Sequence, residues 1–158
     1  MPPNTPRPIS RRVQARFFKI INVLMRNILN LPIETPLGKR LMLVHHFGRK
    51  TGKHYCQPVS YVLDGSDLLT PGGGRWTLNL HECQPVSIRL RGHDILALPE
   101  LVADPNEVER LLKVMSKVNP TLQRFVRIPK NENGDLDPQS LAAAIDHGFL
   151  VVRWHLFC

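Results

Sequence analysis

Long apolar segments are missing from this chain of 158 residues. No run of roughly eighteen apolar residues occurs, whereas a helix that spans a bilayer needs about twenty, so the sequence excludes a membrane-spanning helix. Cysteine is scarce as well. Cys56, Cys83 and Cys158 are an odd number at wide spacing, which argues against a disulfide framework and favours a reducing compartment. We therefore expect a cytoplasmic protein.

Recognisable metal and nucleophile motifs are also absent. Two groups of histidine and cysteine occur, neither with the spacing of a zinc site: His45, His46 and His54 with Cys56, and His81 with Cys83. Alternation along a strand would place His45 and His46 on opposite faces, which disfavours joint ligation. No nucleophile elbow and no carboxylate pair suited to acid–base catalysis stands out. We expect no metal and no catalytic side chain; in an enzyme of this kind the reactive atom belongs to a cofactor.

Positive charge is concentrated in the first third of the chain. Up to Lys53 there are eleven Lys or Arg and one acid, a net charge of +10, while the remainder carries ten cations and twelve acids. Such a concentration either is a solvated basic face or attracts a phosphate-bearing cofactor, an anionic membrane surface or nucleic acid. Aromatic residues are few and are not interleaved with the cations, which argues against nucleic acid.

Residues 10–30 have the pattern of an amphipathic basic helix. Apolar residues recur every three or four positions, and cations lie on the other side: Val13, Phe17, Ile20, Ile21, Leu24 and Ile28 against Arg12, Arg16, Lys19 and Arg26. Ser10 is the expected N-cap, and Pro32 ends the helix. The apolar side either packs on the rest of the domain or lies in an anionic membrane interface. Residues 1–9 are expected to be disordered.

The rest of the chain reads mainly as strands. Apolar runs and period-two alternation predict strands at 40–47, 57–63, 67–70, 85–91, 95–102 and 149–157. Helical segments are predicted at 76–81, from Asp104 or Asn106 to Pro120, and at 139–145. We expect the first three strands to form an antiparallel meander. The order predicts a single α+β domain, 10–158, built on a barrel of mostly antiparallel strands with helices at its margins.

Two loops have the composition of ligand-binding segments. Residues 48–53, Gly-Arg-Lys-Thr-Gly-Lys, place three cations, a hydroxyl and exposed backbone N–H groups between two strands, as a phosphate cradle does. A basic hairpin turn is the alternative. At 72–74, three glycines before Arg75 and Trp76 allow the main chain to approach a planar ligand; here the alternative is a flexible loop beside a core tryptophan.

The motifs as a set resemble the deazaflavin-dependent nitroreductase family in order and spacing. They are Gly48-Arg49-Lys50-Thr51-Gly52, Pro58-Val59-Ser60-Tyr61-Val62, Asp64-Gly65, Gly72-Gly73-Gly74, Trp76, Asn79-Leu80 and Pro85-Val86. The resemblance covers residues 41 to 112 and implies a split β-barrel. One departure concerns the glycine loop: Arg75 alone separates Gly74 from Trp76, where many relatives have several more residues.

The resemblance also implies a cofactor and a reaction. The cofactor is coenzyme F420, or less readily flavin mononucleotide, and the reaction is direct hydride transfer to a quinone, nitroaromatic or activated alkene. The cofactor-binding residues that it implies are Arg49, Lys50, Thr51, Gly52, Lys53, Pro58, Val59, Gly73, Gly74, Arg75, Trp76 and Asn79. A non-catalytic split-barrel protein that binds a flavin, deazaflavin, haem or lipid is the alternative. The oligomeric state stays open.

Overall fold

The computed structural model describes residues 11–124, 126 and 128–157. Within them lie three α-helices, α1 (Arg11–Leu29), α2 (Pro105–Val118) and α3 (Pro138–Asp146). The strands are β1 (Leu41–Phe47), β2 (His54–Ser60), β3 (Val62–Asp64), β4 (Asp67–Gly72), β5 (Val86–Leu90), β6 (His93–Val102) and β7 (Leu150–Leu156). Short 3₁₀ turns occupy Leu37–Lys39, Thr77–Asn79 and Pro120–Arg124.

The strands form one curled antiparallel sheet in the order β2-β1-β5-β6-β7-β4-β3. Two apolar clusters lie on its opposite faces, because alternate residues of each strand point to opposite sides. Trp154 belongs to one cluster, and its indole Nε1 donates to Thr70 Oγ1 at 3.1 Å. Val151 belongs to the other, which α2 and α3 cover. The fold is an α+β split β-barrel, which confirms the predicted fold class.

Both antiparallel pairings of the predicted meander occur, but the single strand predicted at 57–63 is wrong, because this segment is divided between two strands. β2 pairs with β1, but β3, the next strand along the chain, pairs with β4 at the opposite edge of the sheet. The chain changes edges at Tyr61, whose backbone N–H donates to Arg40 O at 3.1 Å and whose hydroxyl donates to Gly38 O at 2.7 Å. Arg91 Nε donates to the same hydroxyl at 3.2 Å. The strand pattern of the sequence continues from β2 into β3, so it does not show that the two strands pair with different neighbours.

Helix α1 agrees with the predicted bounds, and its packing is partial. Leu29 is buried, whereas Ile20 is 67% exposed and Leu24 is 57% exposed. Of the two alternatives for the apolar side, packing on the barrel therefore does not occur at these two positions. The Ser10 cap and the expected disorder at 1–9 lie outside the described residues. Over the described ranges, no helix has the length and apolar character needed to cross a membrane.

Helix α2 begins where the sequence predicts. Asp104 caps it by accepting the backbone N–H of Glu107 at 2.9 Å. Arg153 of β7 then joins this helix to the sheet, because its guanidinium donates to Glu107 at 2.7 Å and to Glu100 at 3.0 Å. The helix thus covers the sheet on the face that carries Val151.

Candidate functional site

A tight turn joins β1 to β2. Gly48 N donates to Lys53 O at 2.8 Å, and Gly52 N donates to Gly48 O at 2.7 Å. Gly52 has a φ of +65°, in the left-handed region that glycine adopts without strain. The Thr51 hydroxyl accepts the N–H of Lys53 at 3.3 Å. The turn is closed by these bonds and leaves its cationic side chains exposed: Arg49, Lys50 and Lys53.

The glycine loop leads into the 3₁₀ turn at Thr77–Asn79. The Thr77 hydroxyl donates to Gly74 O at 2.7 Å, which fixes the start of this turn. Gly73 has a φ of +121°, and a Cβ built there would lie 2.9 Å from Phe149 Cα. Its lack of a side chain thus permits close backbone packing. Trp76 is half-buried, and its ring centroid lies 6.3 Å from that of His46.

Asn79 joins the two loops. Its Oδ1 accepts the backbone N–H of Arg49 at 3.1 Å, and its Nδ2 lies 3.1 Å from His46 Nδ1. The side chain of one segment therefore positions the basic turn of another, thirty residues away. The resemblance implies that Asn79 binds the cofactor. The structure shows in addition that Asn79 links the basic turn to His46 through its side-chain amide.

The two loops border one cavity of about 920 Å³. Eight of the twelve residues implied by the resemblance line it: Arg49, Lys50, Thr51, Lys53, Pro58, Arg75, Trp76 and Asn79. The other four do not. Val59 is a core residue, Gly52 shapes the turn, and Gly73 and Gly74 shape the loop before Trp76.

Several lining residues were not predicted from the sequence. Asn22 and Arg26 come from α1, and His46, Tyr55 and Cys56 come from the β1–β2 hairpin. The sequence places Arg26 on the basic side of the predicted helix, where a cation can reach an anionic ligand. It also places His46 on the strand face opposite to that of His45, because side chains alternate along a strand. The sequence does not place α1 beside the hairpin, so it could not assign either residue to this cavity.

The cavity is strongly cationic and has an aromatic wall. Among its described lining residues five are Lys or Arg and none is acidic: Arg26, Arg49, Lys50, Lys53 and Arg75. The rings of His46 and Tyr55 stack at 5.5 Å with an interplanar angle of 19°, and Lys53 Nζ lies 5.7 Å from the centre of the Tyr55 ring. Cations of this kind bind anionic oxygens, and rings stack on planar ligands. The arrangement therefore suits a ligand that has both anionic oxygens and a planar ring.

Burial lowers the pKa of two histidines here, His45 and His46. Desolvation, followed by the neighbouring charges of His54 and His45, lowers the pKa of His46, so this imidazole is neutral near pH 7. The pKa of His45 is lowered for the same first reason, and its Nδ1 lies 3.2 Å from His54 Nε2. In the described part of the chain, no group of three or more His, Cys, Asp or Glu side chains is placed to hold a metal ion.

A second cavity, of about 620 Å³, adjoins the first. The two share His46, Gly48, Arg49, His54 and Asn79 as lining residues. The second has a less charged wall, which includes the exposed apolar side chains of Phe47 and Leu96. A further cavity, of about 340 Å³ beside α2, contains none of the predicted site residues.

Fold and site together define a split β-barrel protein with a cationic cavity beside an aromatic wall. No protein-family model and no curated protein matches the sequence. Among solved structures, a candidate pyridoxamine 5′-phosphate oxidase from Listeria innocua matches with a TM-score of 0.50 at 16% identity, over 85% of this chain and 94% of that one. A candidate 5-nitroimidazole antibiotic resistance protein from Bacteroides thetaiotaomicron VPI-5482 matches with a TM-score of 0.52 at 12% identity, over 77% and 76%.

A third structure, an F420-H2-dependent reductase (FDR-A), matches with a TM-score of 0.48 at 13% identity, over 73% of this chain and 94% of that one. At these identities the first two likenesses show a shared fold.

Proposed function

We propose that the protein is an oxidoreductase that binds coenzyme F420 in the cationic cavity and passes its hydride to a small organic acceptor. The observation that carries this proposal is the convergence of five cations with the rings of His46, Tyr55 and Trp76 on one cavity. Coenzyme F420 combines a planar deazaflavin ring with a phosphate and an acidic tail. When bound, its reduced ring supplies the hydride.

The residues present fit such a group. Arg49 and Lys53 offer charge-assisted hydrogen bonds to phosphate and carboxylate oxygens, and the aromatic side chains provide the ring with a flat wall. A volume of about 920 Å³ lies within the range of about 300–1,000 Å³ that is usual for ligand sites. The adjoining cavity, with Phe47 and Leu96 on its wall, offers an apolar place for a quinone, nitroaromatic or activated alkene. The protein's own contribution is position and electrostatics.

The proposal is tested by titration of the purified protein with F420 and with flavin mononucleotide under the same buffer and salt. We expect tighter binding of F420, because its tail adds negative charge that the five cations can bind. Equal or tighter binding of flavin mononucleotide would contradict the choice of cofactor. Binding of F420 without reduction of any acceptor in the three classes would instead support a non-catalytic binding protein.

Cys56 offers an independent check that the ligand occupies this cavity. It lines the cavity and is half-buried, whereas Cys83 is exposed and outside it. Burial raises the pKa of the Cys56 thiol, so we expect slower alkylation at Cys56 than at Cys83. In a Cys158→Ser background, saturating F420 should slow alkylation of Cys56 further and leave the rate at Cys83 unchanged. Mass spectrometry of the two peptides measures both rates, and equal rates at Cys56 with and without F420 would place the ligand elsewhere.

The exposed apolar side of α1 supports a second proposal, that this helix contacts an anionic membrane surface. Ile20, Val23 and Leu24 are 67%, 49% and 57% exposed, and the neighbouring Arg16 and Lys19 are exposed too. An amphipathic helix with cations beside its apolar face binds an anionic interface in this way.

A further inference from the structure

His46 has a buried nitrogen with nothing to bond. The residue is 5% exposed, and among the described residues Nε2 has no hydrogen-bond partner. Most buried polar atoms in folded proteins are paired, and an unpaired one destabilises the structure that contains it. His46 lines both the cationic cavity and the cavity that adjoins it. The unpaired atom therefore belongs to a residue on the wall of the candidate site.

The hydrogen bonds on the other side of the ring determine which nitrogen carries the proton. The backbone N–H of Arg49 can only donate, so the atom of Asn79 that faces it is the oxygen Oδ1. The amide Nδ2 of Asn79 is then the donor toward His46, and His46 Nδ1 must accept. In a neutral imidazole one nitrogen accepts and the other carries the proton. The proton of His46 therefore resides on Nε2, and the unpaired atom is a hydrogen-bond donor.

We propose that His46 is a ligand-recognition residue whose neutral imidazole donates its Nε2–H to an acceptor atom on the planar ring of the bound cofactor. This inference rests on the proposed function, and it identifies a polar contact to the ring in addition to the ionic contacts to the phosphate and tail. The rings of Tyr55 and Trp76 lie near that of His46. Nε2 is closed off from solvent, so the contact requires the groups that cover it to move. Of the two rings, Tyr55, at 41% exposed, is the more exposed.

Two substitutions distinguish a hydrogen bond from His46 Nε2 to the ligand from a purely structural role of His46 as the hydrogen-bond acceptor for Asn79. An asparagine side chain reproduces the position of Nδ1, whereas a glutamine side chain reaches the position of Nε2. His46→Asn should keep the bond to Asn79 but lose the donor, and we expect about 10-fold weaker F420 binding, or about 1.4 kcal/mol. His46→Gln should stay within about 3-fold of wild type, since it keeps the donor. His93→Gln, at an exposed histidine outside both cavities, is the matched control and should bind as wild type does.

Equal F420 affinity in His46→Asn and His46→Gln, high or low, would overturn the inference. If His46→Asn binds F420 normally while loss of Arg49 and Lys53 prevents binding, the proposed function survives and the role of His46 does not. A wild-type protein that binds neither F420 nor flavin mononucleotide would overturn both.

The tautomer can be read without relying on any variant's stability. Imidazole ¹⁵N spectra of the ligand-free wild-type protein should show His46 protonated at Nε2 and unprotonated at Nδ1. Addition of F420 should shift the Nε2 signal and slow exchange of its proton with water. A proton on Nδ1, or an Nε2 signal unchanged at saturation, would contradict the proposal.

Discussion

The double variant Arg49→Ala/Lys53→Ala is expected to bind coenzyme F420 at least about 100-fold more weakly than the wild-type protein. Each substitution removes a charge-assisted contact worth about 1.5–3 kcal/mol, and about 1.4 kcal/mol corresponds to a tenfold change in affinity. Both side chains line the cavity, and neither is part of the core, so the fold should remain intact. Fluorescence titration at fixed ionic strength measures the effect.

The matched control removes the same charge from the same basic third of the chain. Lys39 and Arg40 are exposed and outside the cavity. If Lys39→Ala/Arg40→Ala loses as much affinity as the first variant, the attraction is a general effect of net charge. Unchanged affinity in Arg49→Ala/Lys53→Ala would place the anionic groups of the ligand elsewhere.

The buried and the exposed apolar residues of α1 are expected to respond differently to substitution. Leu29 is 5% exposed, so Leu29→Ala should lower the free energy of unfolding by about 2–5 kcal/mol. Ile20 and Leu24 are mostly exposed, so Ile20→Ser/Leu24→Ser should change it by no more than about 0.5 kcal/mol. Denaturant unfolding measures both variants.

The same pair of variants tests the membrane proposal. Ile20→Ser/Leu24→Ser should abolish sedimentation with vesicles that contain anionic lipid, while Leu29→Ala should retain it below its unfolding transition. Neutral vesicles are the control, since the cations of α1 have no attraction to them. Wild-type protein that does not sediment with anionic vesicles would refute the membrane contact. A marked loss of stability in Ile20→Ser/Leu24→Ser would show that these residues are buried in solution.

Much of the fold could be predicted because local patterns report local structure. The alternation of Val86, Ile88 and Leu90 identified β5, and Asp104 followed by apolar residues at helical spacing identified α2. The exchange of sheet edges at Tyr61 could not be predicted. It depends on hydrogen bonds to Gly38 and Arg40 that join distant residues, and no local pattern carries that information.

The positive charge of the candidate site could be predicted from the sequence, but the hydrogen bonds that join its segments could not. The composition of residues 48–53 predicted a basic turn. Eight of the twelve residues implied by the resemblance line one cavity. The bridge from Asn79 to Arg49 and His46 pairs side-chain and backbone atoms thirty or more residues apart. The packing at Gly73 could not be predicted for a related reason. A glycine can serve backbone packing or ligand approach, and the close approach of Phe149 to Gly73 joins residues far apart in the sequence.

The place of β7 in the sheet has a consequence for how the chain folds. β7 is hydrogen-bonded to β6 on one side and to β4 on the other, so within the described residues β3 and β4 are hydrogen-bonded to the rest of the sheet only through it. Its register pairs Leu68 with Trp154, and the entropy of closing so long a loop is lost before the contact forms. Until then β4 has an open edge on which another chain can pair. We therefore expect aggregation to compete with folding until β7 docks.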